Sequence, residues 1–299
     1  MSTSAFAVII VSTFMHAGWN LMVRHGRNEV RFMERMVVAW FLIGLVPLIA
    51  CEITMVPLGA EAVRLSLIAG CCGGVYFFGL AKGYESSDFT IVYPVVRTLP
   101  VLLIAVADLI MGHVPTVWGW LGIVLVVFGC FLAPLRSIRD LHPRAYMQRT
   151  ILWMVLAAFG TVGYSLVDKQ GSDLLASRVR LPVEAIVPAI RYTGYYFLSA
   201  TPTLLLLVRL RPQAGRRHDT GMGWSIPALA GVFNFVAYAM IVWVYQASEK
   251  VSYVVACRQF SIVIGVVAAF VIFHEPGRWV RAVAVVLITM GLFVIGIWG

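Results

Sequence analysis

Three arginines, Arg97, Arg191 and Arg258, lie inside stretches otherwise apolar enough to sit in lipid. An ionised side chain in a bilayer is costly, so each one marks a functional site or a bound partner by default. A guanidinium can grip a carboxylate with two parallel hydrogen bonds. Arg97 and Arg258 are therefore candidate anchors for a carboxylate or another anionic group. A second reading stays open for both: a structural arginine that binds loop carbonyls, pairs with an acid, or snorkels to a membrane surface. Tyr93 precedes Arg97 by four residues and shares its helical face. Asp108 lies eleven residues beyond Arg97. Three helical turns put it roughly 16 Å away, too far for a direct ion pair. Pro94 and Pro100 flank Arg97 and predict a kinked or broken helix there. Arg191, with Tyr192, Tyr195 and Tyr196, reads as an interfacial arginine in a tyrosine belt.

The run His16-Ala17-Gly18-Trp19-Asn20 puts a histidine and an amide four residues apart beside an indole. Thr161-Val162-Gly163-Tyr164-Ser165 echoes it at an offset of 145. Small and polar residues of this kind pack helices together. They could equally line a cavity, with His16 as a proton site and Trp19 and Tyr164 as surfaces for an apolar substrate part. Asn234 and Tyr238, again four apart, could line the same cavity. The candidate substrate-binding set is thus His16, Trp19, Asn20, Tyr93, Arg97, Tyr164, Asn234, Tyr238 and Arg258, and the proton-coupling candidates are His16 and Asp108. Trp243 and Tyr245 read as interface anchors, and Asp168-Lys169 as a solvated pair at a helix end. No metal-ligand spacing, nucleotide-binding loop or nucleophile context is present, so neither a metal, a cofactor, an enzyme nor an ATP-driven pump is expected. The five cysteines read as packing residues. His113 and His274 read as turn residues before Pro115 and Pro276.

These residues must be carried by membrane helices. The 299-residue chain is 61% apolar and 12% charged, with a mean hydropathy of +0.89. Ten apolar runs approach the length needed to span a bilayer: 5–23, 33–51, 62–81, 90–111, 116–134, 151–168, 185–208, 224–245, 251–273 and 279–298. Continuous runs predict helices rather than the alternating segments of a β-barrel. The fold class is an all-α polytopic membrane protein. Residues 76–138 overlie 237–299 at a constant offset of 161, which pairs Arg97 with Arg258 and Trp118 with Trp279. The organisation expected is a five-helix repeat at 1–134, a basic linker at 135–150 and a second five-helix repeat at 151–299. An odd number of spans per repeat makes the second copy inverted, around a central cavity. Of 23 Lys and Arg, fifteen lie in or beside the loops after odd-numbered spans and five beside the even ones. The positive-inside rule then makes the odd loops cytoplasmic and puts both termini outside. The pI of 9.6 reflects that topology. It does not indicate a nucleic-acid-binding face. The N-terminus merges into the first span without a cleavable leader.

HAGWN at 16–20, FFGLAKGYESSDFTIVYPVVRTLP at 77–100, MGHVPTVWGWLG at 111–122 and FHEPGRW at 273–279 resemble the drug/metabolite transporter superfamily in its ten-helix form, built of two EamA-type halves. The resemblance implies a cavity lined by spans one, three, four, six, eight and nine, with spans five and ten peripheral, and alternating access without ATP. It also points to the bacterial aromatic- and amino-acid-exporter group. The chain departs from the pattern in having Gly112-His113 where Gly-Glu is usual, and in a charge count that places the termini outside.

The expectation is a secondary transporter in a bacterial-type cytoplasmic membrane that exports small metabolites, foremost amino acids. It would act as a monomer in the lipid bilayer, with a small-molecule substrate and no nucleic acid. One alternative is a cationic-drug/proton antiporter, which the arginines disfavour by repulsion. Another is a non-transporting scaffold or lipid-flipping partner.

Overall fold

The structure is a computed structural model that describes residues 3–25, 29–86, 89–133, 135, 137, 151–177, 184–210, 223–271 and 278–298. The linker expected at 135–150 and the pair His274-Glu275 fall almost wholly or wholly outside these residues. The helices are α1 Thr3–His25, α2 Glu29–Thr54, α3 Ala60–Ser86, α4 Phe89–Ile110, α5 Val117–Leu132, α6 Ile151–Ala176, α7 Ile186–Leu210, α8 Ser225–Tyr245, α9 Val251–Arg258, α10 Phe260–Val271 and α11 Arg278–Trp298. No strand occurs among the described residues. Each expected span corresponds to one helix, except that the ninth is divided into α9 and α10. Among the described residues, seven stretches are long and apolar enough to cross a membrane by themselves. Large apolar side chains stay exposed around the bundle, as at Val46, Ile53, Phe128, Met290 and Phe293. That surface suits lipid.

α3 packs against α6 and α7, α8 packs against α1 and α2, and α5 packs along α11. Small residues let the backbones touch. A Cβ on Gly160 would lie 2.7 Å from Tyr76 N, and one on Gly79 would lie 2.8 Å from Ala157 N. Either substitution must push α3 and α6 apart. The contact of α1 with α8 resembles that of α6 with α3. Gly18 on α1 abuts Phe233 on α8 and Gly163 on α6 abuts Cys72 on α3, and positions 72 and 233 differ by the same 161.

The end of α4 is fixed by local chemistry. Gly112 adopts φ 85°, a left-handed conformation in which a side chain would be strained. His113 N then donates to Asp108 O at 2.8 Å and Gly112 N to Leu109 O at 3.2 Å, closing the helix with the paired bonds of a glycine C-terminal motif. His113 is thus the turn residue its position suggests. Thr116 caps α5 by accepting from Gly119 N at 2.9 Å.

Two helix readings are corrected. α6 does not stop at residue 168 but continues to Ala176, because Asp168 and Lys169 are packed rather than solvated. α4 is continuous through Pro94 and Pro100, and the break falls in the proline-free ninth span, at Arg258-Gln259. There Gln259 N turns to Ala256 O at 2.9 Å and Ile262 N to Gln259 O at 2.8 Å. Both skip the carbonyl four residues back. The bypassed carbonyls are satisfied by side chains: Gln259 Nε2 donates to Val255 O at 3.2 Å, and Ser261 Oγ to Arg258 O at 3.0 Å. The glutamine and serine after Arg258 supply the bonds that the ladder loses.

Candidate functional site

A cavity opens where α1, α3, α4, α6, α7, α8 and α9 converge. It measures about 40 Å³. A water needs roughly 15 Å³ of such space, so the cavity holds a few waters and must widen before it admits an amino acid. α5 and α11 contribute no lining residue. α7 adds Tyr196, which the family resemblance did not anticipate.

Seven of the nine candidate residues line this space: His16, Trp19, Arg97, Tyr164, Asn234, Tyr238 and Arg258. Asn20 does not. It is half-buried and its Nδ2 donates to His16 O at 2.7 Å, holding its own helix. The Tyr93 side chain lies outside the described residues. Asp108 is fully buried away from the cavity, where its Oδ2 accepts from Ser252 N at 2.7 Å. It caps the first turn of α9 from the end of α4.

The two paired arginines are used differently. Arg97 Nη1 lies 3.2 Å from His16 Nε2, and Trp19 Nε1 donates to His16 Nδ1 at 3.1 Å. Both neighbours are donors only, and a neutral imidazole has one acceptor nitrogen. A second ring proton would face donors on both sides, so this arrangement selects neutral His16. Arg258 stands at the C-terminal end of α9, among Tyr76, Tyr164, Tyr238 and Tyr245. Among the described residues its guanidinium has no hydrogen bond or ion pair. Two more polar atoms on the wall are unpartnered, Asn234 Nδ2 and Gln259 Oε1. A buried cluster of unsatisfied donors and acceptors is what a polar ligand would complete.

The rest of the wall is aromatic. Tyr196 and Tyr238 lie 4.1 Å apart at 30°, and Tyr164 meets them at 6.2 and 6.1 Å. Tyr76 and Phe77 continue this surface towards Trp19. The tyrosine-belt reading is therefore corrected for Tyr192 and Tyr196, which are interior. Tyr245 is likewise interior rather than an interface anchor. Arg191 is structural: its Nε reaches Glu52 Oε1 at 2.9 Å, its Nη2 the same oxygen at 2.5 Å, and its Nη1 Val56 O at 2.9 Å.

Asp168 is the residue that sequence reasoning misplaced. It is 1% exposed, and its Oδ2 accepts from the Tyr238 hydroxyl. Lys169 turns the other way, to Asp173 and to Tyr245 O. The signal was present in the sequence: an acid four residues after Tyr164 continues the same helical face.

Residues 3–134 match the model of the EamA-like transporter family. The chain is thus an all-helical, multi-pass membrane protein, and the similarity to EamA-like transporters covers its first five helices, less than half of its length. A protein known from a crystal structure, 16% identical in sequence, aligns over 99% of this chain and 98% of its own with a TM-score of 0.68. At that identity the likeness concerns the fold alone. No curated protein matches the chain.

Proposed function

We propose that this protein is a secondary transporter that exports small zwitterionic or anionic metabolites, foremost amino acids, from the cytoplasm by alternating access. The single observation that carries the reading is the Arg258 guanidinium, without a hydrogen bond or ion pair among the described residues, on the wall of an aromatic cavity beside the unpartnered Asn234 Nδ2 and Gln259 Oε1. The substrate carboxylate binds Arg258, and Arg97 borders the same space beside His16. The apolar part of the substrate rests on Trp19, Tyr164 and Tyr238. The resemblance of the α1–α8 contact to the α6–α3 contact supports two inverted five-helix repeats meeting at this cavity. Of the two proton-coupling candidates, His16 borders the cavity and Asp108 does not. The cationic lining disfavours lipophilic cations as substrates.

The test is flux of a panel of radiolabelled L-amino acids into proteoliposomes holding the purified protein. Wild type is expected to move at least one of them, Arg258→Ala to lose roughly tenfold or more of that flux, and Arg97→Ala to lose less. Unchanged flux in both variants would end the anchor assignment.

A further inference from the structure

We infer that Asp168, through Tyr238, sets the preference of this cavity for zwitterions over simple carboxylates. The inference rests on the carboxylate-binding role of Arg258 proposed above and adds the site of the ammonium group. Tyr238 lines the cavity and gives its only hydroxyl proton to Asp168. Its remaining lone pairs can then only accept, and accept more strongly because the bonded carboxylate polarises the hydroxyl. Gln259 presents a second acceptor. Donation from its Nε2 to Val255 O fixes the amide, which leaves Oε1 buried, unpartnered and on the same wall. Arg258 and Asn234 Nδ2 supply the donors. The cavity therefore carries donors for a carboxylate and acceptors for an ammonium.

Asp168 also supplies the charge. A buried carboxylate with only tyrosine hydroxyls beside it, Tyr238 bonded to one oxygen and Tyr192 close by, and with its other oxygen unpartnered, is expensive as structure alone. Lys169, its neighbour, does not compensate it, since that ammonium pairs with Asp173. The compensating charges are Arg258, within electrostatic reach, and the ligand's ammonium. Asp168 does not line the cavity, so it is a positioning residue acting through the Tyr238 hydroxyl.

The experiment measures equilibrium binding of radiolabelled L-leucine and, separately, radiolabelled 4-methylpentanoate, the same skeleton without the amino group. The proteins are detergent-purified wild type, Asp168→Asn, Tyr238→Phe and Arg258→Ala. Wild type is expected to prefer L-leucine. Asp168→Asn and Tyr238→Phe should each reduce that preference roughly tenfold, the scale of one charge-assisted hydrogen bond, while binding 4-methylpentanoate at least as well as wild type. Arg258→Ala should lose both ligands. A merely structural acid would change both affinities together and leave their ratio intact. An unchanged ratio in Tyr238→Phe and in any folded Asp168→Asn overturns the inference, as does a wild type without preference, and in either case the carboxylate-binding role of Arg258 stands. A wild type that binds neither ligand overturns that role and this inference together.

Discussion

At the scale of single residues, the buried ionisable groups divide by what satisfies them. Arg191 is satisfied by Glu52 and Val56 O. Breaking a buried pair leaves an uncompensated charge and typically costs roughly 3–5 kcal/mol. Glu52→Ala is therefore expected to lower the unfolding temperature in detergent markedly, and an unchanged temperature would contradict the structural role. Arg97 rests on His16, and Arg258 is left with the cavity. Sequence alone sets Arg191 apart only as an interfacial residue and does not show that an acid on another helix holds it. All three arginines lie in apolar runs, and the placement of acids on other helices distinguishes them. Asp168 shows the same limit: an acid beside a lysine reads as a solvated pair until α8 is seen to bring Tyr238 against it.

At the scale of elements, the cavity depends on how helices end and break. Asp108 spans two of them, ending α4 through its carbonyl and capping α9 through its carboxylate. Loss of a cap costs about 1–2 kcal/mol. Asp108→Ala should therefore destabilise the protein in thermal unfolding while leaving the pH dependence of flux unchanged. A changed pH dependence would return Asp108 to the proton pathway. α3 and α6 meet through Gly79 and Gly160, so Gly160→Val should lower the unfolding temperature or the yield of folded protein far more than Gly265→Val, where a Cβ meets nothing within 4 Å. Equal effects would contradict the close approach. The helices themselves were legible, because continuous apolar runs in a chain of this hydropathy leave little else. The ninth-span break was not, since breaks are usually sought at proline. Here it is made by side chains, Gln259 and Ser261, that replace the lost ladder bonds.

At the scale of the whole molecule, the offsets of 161 and 145 read from the sequence both reappear in packing. Gly18 meets position 233 as Gly163 meets position 72, and Trp40 Nε1 on α2 donates to Thr201 Oγ1 on α7, again 161 residues on, at 2.8 Å. Seven of the nine candidate binding residues converge because α1, α4, α6, α8 and α9 each turn one polar or aromatic face to the same cavity. What periodicity cannot supply is which face of α7 turns inward, and so Tyr196 was missed. The narrow cavity is closed to a ligand of amino-acid size, so a transporter of this design must open it to each side of the membrane in turn. Thr161 lies on its wall and is 8% exposed. The decisive measurement places a single cysteine there, Thr161→Cys, in a background whose five native cysteines are replaced. It then follows labelling by a membrane-impermeant thiol reagent from each face of the membrane. Labelling is expected from both faces, slowed by a transported amino acid. Labelling confined to one face, and indifferent to every amino acid in the panel, would contradict alternating access.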